Sequence, residues 1–377
     1  MQMSTLGRSG ADPQPGPELS IIVPTFNERE NIGRLVDLLE ACLAGVRWEL
    51  IVVDDDSPDN TADLVRGLAR LNAHVRCVQR IGRRGLSSAC LEGMLTSSAP
   101  FLAVMDGDLQ HDERLLPEML RQLKEENYDL VIGSRYMAGG SIGQWDEMRA
   151  KTSRWATSMS RPWVPEGLTD PMSGFFALRR DTFDLLVRRT SGLGFKLLLD
   201  LFASSPRLLR FKELPFEFRI RQAGESKVDG QVVWEYLMLL LDKSIGRYVP
   251  VRLVAFALVG GSGVVVHFAV LLLFYRGLSL PFAWGQGLAT VLAMTSNFAL
   301  NNLITYRDRR LTGWHWLRGW LSFALVCGLG AIGNVGVASY LFGQDLHWGF
   351  SAMAGIVVGT VWNYAVTASY TWKAKSR

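Results

Sequence analysis

Hydrophobic positions along the chain follow two different patterns. From Leu19, short β-branched runs alternate with stretches of helical periodicity: Ser20 to Pro24 then Asn31 to Leu43, Trp48 to Val53 then Thr61 to Arg70, Val75 to Gln79 then Leu86 to Leu95. Strands separated by helical patterns of about ten residues predict a mostly parallel sheet covered on both faces. Such sheets bind ligands at the carboxyl ends of their strands. Beyond Arg247 the pattern becomes four long apolar stretches, Val251 to Tyr275, Pro281 to Thr305, Leu317 to Phe342 and Trp348 to Tyr370. Each reaches the roughly 20 residues that a bilayer span requires. Just before them, Val232 to Ile245 mixes apolar residues with Glu235, Asp242 and Lys243, the pattern of an interfacial amphipathic helix.

At 377 residues the chain is too long for a typical single domain. The pattern divides it into a disordered tail (1–18), a soluble α/β domain (19–230), the amphipathic helix (231–246) and a four-span, all-α membrane domain (247–377). The tail is rich in Gly, Pro, Ser and Gln and lacks the apolar core of a signal peptide. A net charge of +4, without a long basic stripe, argues against a nucleic-acid partner and leaves anionic lipid or phosphate. Cys42, Cys77, Cys90 and Cys327 form no C-x-x-C pair, which argues against zinc and disulfide frameworks and fits a reducing cytoplasm.

Polar clusters follow the predicted strands. The first is Pro24 to Asn31, with Phe26 and Glu28, and the second is Asp54 to Thr61. Asp59 and Thr61 suit a helix cap, and Pro58 a turn. Three successive carboxylates, Asp54, Asp55 and Asp56, repel one another and require a donor or cation to meet them. The third cluster, Asp106, Gly107, Asp108, Leu109 and Gln110, extends an apolar run from Phe101. With strand alternation, Asp106, Asp108 and Gln110 project one way, as oxygen ligands suited to Mg or Mn. A solvated Asp-rich turn is the alternative reading.

Together, PTFNEREN (from Pro24), DDDSPDNT (from Asp54), GLSSACLEG (from Gly85), MDGDLQH (from Met105), GSRY (from Gly133), DPMSGFFALRR (from Asp170), GFKLLLD (from Gly194) and GESK (from Gly224) resemble the polyprenol-phosphate glycosyltransferases of glycosyltransferase family 2. Within that family the dolichyl-phosphate mannose synthases are most similar. The resemblance implies a GT-A (Rossmann-like) catalytic domain, with a nucleotide sugar over the strand ends and a divalent metal, Mg or Mn, on its diphosphate. It assigns Pro24, Phe26, Glu28, Asp55 and Asp106 to the nucleotide sugar, and Asp106, Asp108 and Gln110 to the metal. Arg135, Arg149 and Ser153 match positions that hold an acceptor phosphate, and Lys227, with Arg221, resembles a clamp over the diphosphate. Phe26 stands where a phenol is common, and Asp200 where Glu is usual. The membrane part is similar to GtrA-like four-span domains.

Chemistry narrows the acceptor. A hydroxyl would need a positioned base, whereas a phosphate monoester, with a second pKa of about 6, is ionised at neutral pH and needs cations for orientation. Arginine pairs phosphate oxygens bidentately. Direct attack by that phosphate predicts inversion, and Asp108 belongs to the catalytic set through the cation it would hold. The expected reaction is transfer of mannose from GDP-mannose to polyprenyl phosphate. UDP-glucose as donor is the nearest alternative, and a lipid-linked-sugar translocator with a non-catalytic soluble module is a further one. A processive polysaccharide synthase is disfavoured because Q-x-x-R-W is absent.

In the membrane part, Arg307, Arg309, Arg310 and Arg318 lie between the second and third apolar stretches, and Lys373, Lys375 and Arg377 follow the fourth. The positive-inside rule then places both termini and the catalytic domain in the cytoplasm. An internal repeat relates Phe256 to Gly263 with Phe323 to Gly330, and Asn297 to Ala299 with Asn363 to Ala365. Small residues at Gly260, Gly263, Gly328 and Gly330 permit close helix packing. His267, Asn297, Asn301, Asn302, Asn334 and Asn363 either line a polar path or bond helix to helix.

Overall fold

The computed structural model describes residues 15–141, 155–192, 194–219, 230–246 and 248–373. Two compact units divide between Lys243 and Ser244. The first contains a seven-stranded sheet of order β3-β2-β1-β4-β6-β5-β7. Its strands are β1 (Leu19–Thr25), β2 (Trp48–Asp54), β3 (Val75–Gln79), β4 (Phe101–Val104), β5 (Leu130–Ser134), β6 (Phe176–Arg179) and β7 (Phe211–Pro215). All pairs are parallel except those of β6, which runs antiparallel to both β4 and β5. This is the expected GT-A arrangement, mostly parallel and α/β.

Helices cover both faces: α1 (Arg29–Cys42), α2 (Thr61–Leu71), α3 (Leu86–Thr96), α4 (Leu116–Glu125), α5 (155–160 as described), α6 (Arg180–Leu186), α7 (Leu197–Ser204) and α8 (Gly230–Ile245). The strands read as continuous apolar runs because alternate residues serve opposite cores. Ile21, Val23, Leu50 and Val52 join Ile32 and Leu35 of α1 and Leu120 and Leu123 of α4. Ile22, Ile51, Val53, Leu102 and Val104 meet Ala89 and Met94 of α3, Phe183 of α6 and Leu198 of α7. Each large side chain so buried contributes about 1.5–3 kcal/mol. Helix α8 forms where the amphipathic pattern lies. It packs Tyr236, Leu239 and Leu240 against Met172 and Leu199, and its Lys243 meets the buried Asp200 carboxylate at 2.5 Å.

One local expectation changes. β4 stops at Val104, and the following residues turn, with Leu109 left-handed at φ 63°. Strand alternation therefore does not govern Asp106, Asp108 and Gln110. A buried Leu109 in that conformation aims the neighbouring polar groups instead.

The second unit holds four long helices, α9 (Val251–Leu272), α10 (Phe282–Leu300), α11 (Trp314–Phe342) and α12 (Trp348–Val366). Among the described residues three segments, Val251–Gly277, Trp314–Phe342 and Trp348–Thr371, are long and apolar enough to cross a membrane, and the second expected span, around α10, is not among them. The sequence repeat is also a packing repeat. Gly263 leaves no room for a Cβ against the Asn297 amide, and Gly330 none against that of Asn363. Both α10 and α12 run into a π turn, Asn301–Thr305 and Thr367–Thr371, followed by an aromatic residue. Those aromatics, Tyr306 and Trp372, stack at 4.2 Å with an interplanar angle of 7°. Phe256 meets Tyr364 at 5.9 Å, and their repeat mates Phe323 and Phe298 meet at 5.6 Å. Several intramembrane polar groups tie elements together: His267 Nε2 lies 3.3 Å from Gln286 Oε1, while Asn302 Oδ1 accepts from the Leu311 amide and from Trp372 Nε1.

Two glycines of the first unit separate space from backbone entropy. A Cβ on Gly93 of α3 would stand 2.6 Å from Ile22 Cγ2 and 2.8 Å from Val53 Cγ2, whereas one on Gly67 of α2 would meet nothing within 4 Å. Gly93→Ala is expected to destabilise the protein by about 1–3 kcal/mol through overpacking. Gly67→Ala is expected to stabilise it by up to about 1 kcal/mol. Thermal unfolding of both variants in the same detergent checks the opposite signs.

Candidate active site

The antiparallel β6 organises the site. Because it lies between β4 and β5 with Phe176 opposite both Val104 and Ile132, the chain entering β6 (Asp170 to Phe175) runs beside the chains leaving β4 and β5. The MDGD and GSRY stretches thus meet the DPMSG stretch at one edge of the sheet. Gly174 packs closely there: a Cβ would lie 3.3 Å from Asp106 Oδ2 and 3.6 Å from the His111 ring.

Asp106 is about one third exposed and His111 is enclosed. The Asp106 amide donates to His111 Nδ1 at 3.0 Å, which leaves the ring proton on Nε2, 3.7 Å from Asp106 Oδ2. Phe175 stacks on the imidazole at 5.1 Å, and Phe216 and Phe218 contact it edge-on. Burial depresses the His111 pKa below the ordinary histidine value. Burial raises the Asp106 carboxyl; the Asp108 carboxylate also raises it, while His111, Lys196 and Arg135 oppose the rise. Asp108 is buried, and its Oδ1 accepts the Gln110 amide at 3.2 Å. Gln110 donates through Nε2 to the Arg219 carbonyl at 2.9 Å, so its amide oxygen is the end left for a ligand.

These groups fit a hard divalent cation. Among the described residues no group of three or more His, Cys, Asp or Glu gathers as a complete metal cage. Two carboxylates and a carboxamide on one turn suit a Mg-type ion completed by substrate phosphate and water.

The three carboxylates after β2 separate. Asp54 accepts the Ser57 amide and hydroxyl and the Thr25 hydroxyl; Asp56 accepts from Gln79. Asp55 accepts the Gly85 amide at 2.7 Å and pairs with the buried Arg80 at 2.9 Å. Arg80 is the cation that the sequence pattern required without identifying. The pair is not aligned as a hydrogen bond, so Asp55 Oδ1 retains acceptor capacity in a desolvated setting, and burial raises the Asp55 pKa. Asp59 accepts the Thr61 amide and hydroxyl, while Asn60, left-handed at φ 62°, occupies the cap position itself.

The nucleotide candidates at the end of β1 share this edge. Pro24 pairs with Val53, and β4 ends opposite Ile22, so no ladder bond is demanded of Pro24 on that side. Phe26 carries the Arg84 guanidinium over its ring at 4.2 Å, and Glu28 accepts from Asn31 at 2.8 Å.

On the other side, Arg135 grips Asp170 through two hydrogen bonds, Nε to Oδ2 at 2.7 Å and Nη2 to Oδ1 at 2.9 Å. Asp170 is fully buried, and its amide donates to Glu213 of β7 at 3.0 Å. Glu213 also accepts the Thr169 amide and hydroxyl. Sequence reading gave Glu213, His111 and Lys196 no role. Lys196 stands at the start of α7, bonded to the Met172 carbonyl at 3.4 Å and within electrostatic reach of Asp106. Its only signal was a cation inside GFKLLLD. Arg149, Ser153, Arg221 and Lys227 lie outside the described residues.

Residues 20–186 match the family described as glycosyl transferase family 2, and residues 255–372 match the GtrA/DPMS transmembrane domain. The dolichol-phosphate mannosyltransferase of Pyrococcus furiosus is 33% identical over 358 residues, covering 94% of this chain and 99% of its own. That of Mycosarcoma maydis is 35% identical over 256 residues, covering 66% of this chain and 86% of its own. A crystal structure of glucosyl-3-phosphoglycerate synthase from Mycobacterium tuberculosis, with Mn2+, UDP and glucosyl-3-phosphoglycerate, is 19% identical with a TM-score of 0.46, covering 60% of this chain and 80% of that one. With a glycosyltransferase unit followed by a GtrA/DPMS membrane unit, and similarity to the Pyrococcus furiosus protein over nearly the whole of both chains, this chain is a membrane glycosyltransferase belonging to the dolichol-phosphate mannosyltransferase family.

Proposed function

We propose that the protein transfers one mannose from GDP-mannose to a polyprenyl phosphate, with inversion, at the cytoplasmic face of a membrane crossed four times, with both termini cytoplasmic. The observation that carries this reading is that the antiparallel β6 brings the Arg135–Asp170 pair to the strand edge where the Asp106 to Gln110 turn leaves β4. Carboxylates for a cation and cations for phosphates occupy one edge, as transfer between two phosphorylated substrates requires.

Asp106, Asp108 and the Gln110 carboxamide would hold Mg or Mn. When bound, the ion supplies Lewis-acid stabilisation of the departing diphosphate. Pro24, Phe26 and Glu28 contact the nucleotide, and the spare acceptor position on Asp55 serves a base or ribose donor. Arg135, oriented by Asp170, aligns the acceptor phosphate, joined by Arg149 and Ser153, while Lys227 with Arg221 closes over the diphosphate. An acceptor phosphate oxygen bonds to the anomeric carbon as the bond from that carbon to the diphosphate breaks, and the nucleoside diphosphate leaves. No protein group needs to remove a proton, because the phosphate arrives ionised. Neutral His111 is shielded by three phenyl rings and acts by positioning the Asp106 turn.

Full-length protein is expected to move radiolabelled sugar from GDP-mannose, and not from UDP-glucose, into organic-extractable polyprenyl phosphate. Asp108→Ala is expected to reduce that label to background. Labelling from UDP-glucose alone would reassign the donor. No labelling from either donor by folded protein with Mg or Mn would overturn the reading in favour of a translocator. Chelation with EDTA is expected to stop transfer, with recovery on adding Mg or Mn; full activity in EDTA would refute the cation assignment.

A further inference from the structure

The turn that carries Asp106, Asp108 and Gln110 is held by a segment 109 residues further along the chain. After β7 the backbone continues from Phe216 to Arg219. The Phe216 amide donates to the Ser134 carbonyl at 3.1 Å, and the Phe218 amide to that of Ser141 at 3.0 Å. Phe216 and Phe218 lie edge-on to the His111 ring. Arg219 then meets Gln110 twice through its main chain. Its amide donates to the Gln110 carbonyl at 3.0 Å, and its carbonyl accepts from Gln110 Nε2 at 2.9 Å.

The second of those bonds decides which end of the carboxamide is presented. A glutamine amide has an acceptor end and a donor end, and only its oxygen can ligate a hard cation. With Nε2 committed to the Arg219 carbonyl, the oxygen is the end that remains. The Arg219 side chain fixes that carbonyl in turn. Its guanidinium is half-buried and grips the two residues after His111: Nη2 donates to Asp112 Oδ1 at 2.8 Å and Nη1 to Glu113 Oε2 at 2.7 Å. Glu113 is buried, and a planar fork across two carboxylates leaves the arginine little rotational freedom. The same contacts neutralise Glu113 and, together with Arg114, Asp112. These are the next two carboxylates along the chain after Asp108, and so paired they do not compete with the turn for a cation.

We propose that Arg219 is a positioning residue for the cation site: its guanidinium, anchored on Asp112 and Glu113, holds its own main chain against Gln110 and so directs the Gln110 carboxamide oxygen at the cation. The inference rests on the reading of Asp106, Asp108 and Gln110 as the cation-holding groups. It adds a residue that acts through Gln110 and not by contact with the ion.

The test titrates Mn2+ into full-length protein in nanodiscs, alone and then with GDP, and measures free Mn2+ by electron paramagnetic resonance. Wild-type protein is expected to bind Mn2+, and Arg219→Gln to bind it at least about tenfold more weakly, as loss of a residue that orients a metal ligand does. Arg219→Lys, which keeps the charge beside Glu113 but not the fork, is expected to fall between them and carries the test should Arg219→Gln fail to fold. Through-space charge alone predicts the opposite sign, since removing a guanidinium lessens the repulsion of a cation. Gln110→Ala is expected to weaken binding too, and in that background Arg219→Gln is expected to add nothing, because the two residues act as one unit. In transfer assays the Mn2+ concentration giving half-maximal rate rises for Arg219→Gln while the acceptor KM is unchanged. Unchanged or tighter Mn2+ binding by Arg219→Gln, or by Arg219→Lys if it alone folds, overturns the proposal. So does a loss that persists in the Gln110→Ala background. If wild type binds no Mn2+ in either condition, the cation reading falls and this proposal with it. Should the protein bind Mn2+ through Arg219 yet transfer no sugar, the transferase reading fails and this one stands.

Discussion

The buried pair between Arg135 and Asp170 is the interaction on which the catalytic edge depends. Asp170 is fully enclosed and both its oxygens are taken by one guanidinium. Removing one member of such a pair strands the other in low dielectric, at a cost of about 3–5 kcal/mol. The pair exists because β6 enters antiparallel between β4 and β5, bringing Asp170 back to the strand ends that carry Arg135 and Asp106. Glu213, from the neighbouring β7, then fixes the backbone at Thr169 and Asp170. One reversed strand thereby joins the two halves of the site.

Elsewhere along the edge, charge is balanced unevenly. Arg80 meets Asp55 in the interior, and Lys243 meets Asp200 where α8 packs on α7. Asp106 stands 3.7 Å from the His111 ring nitrogen and beside the Asp108 carboxylate. Burial and the neighbouring carboxylate raise the Asp106 pKa, and His111, Lys196 and Arg135 oppose that rise electrostatically. Burial and the neighbouring carboxylate distinguish this turn from the other acidic turn, where Arg80 meets Asp55 directly.

The membrane unit applies one packing solution twice. A glycine in the first helix of each hairpin accepts the asparagine of the second, each second helix ends in a π turn, and the two closing aromatics stack on each other. The aromatic cluster of Phe256, Phe298, Tyr306, Phe323 and Trp372 lies where the two hairpins meet. Close glycine contacts and aromatic packing hold helices together where lipid removes the hydrophobic driving force.

Periodicity and composition by themselves determined the division into an α/β unit and an apolar helical unit, the first three strands to within a residue, and the polar clusters at strand ends. These are local properties: apolar alternation reports burial, and Gly, Pro and Asp report turns. The repeat was legible for the same reason, as its residues recur at a nearly fixed offset. Only the tertiary structure decided that Asp106 lies on a turn rather than a strand, that Arg80 answers Asp55, and that Glu213, His111 and Lys196 belong to the site. Each of those facts depends on which distant segment lies alongside, as with Glu213 and Asp170, 43 residues apart. Such partners are set by sheet order and strand direction, which local periodicity does not encode.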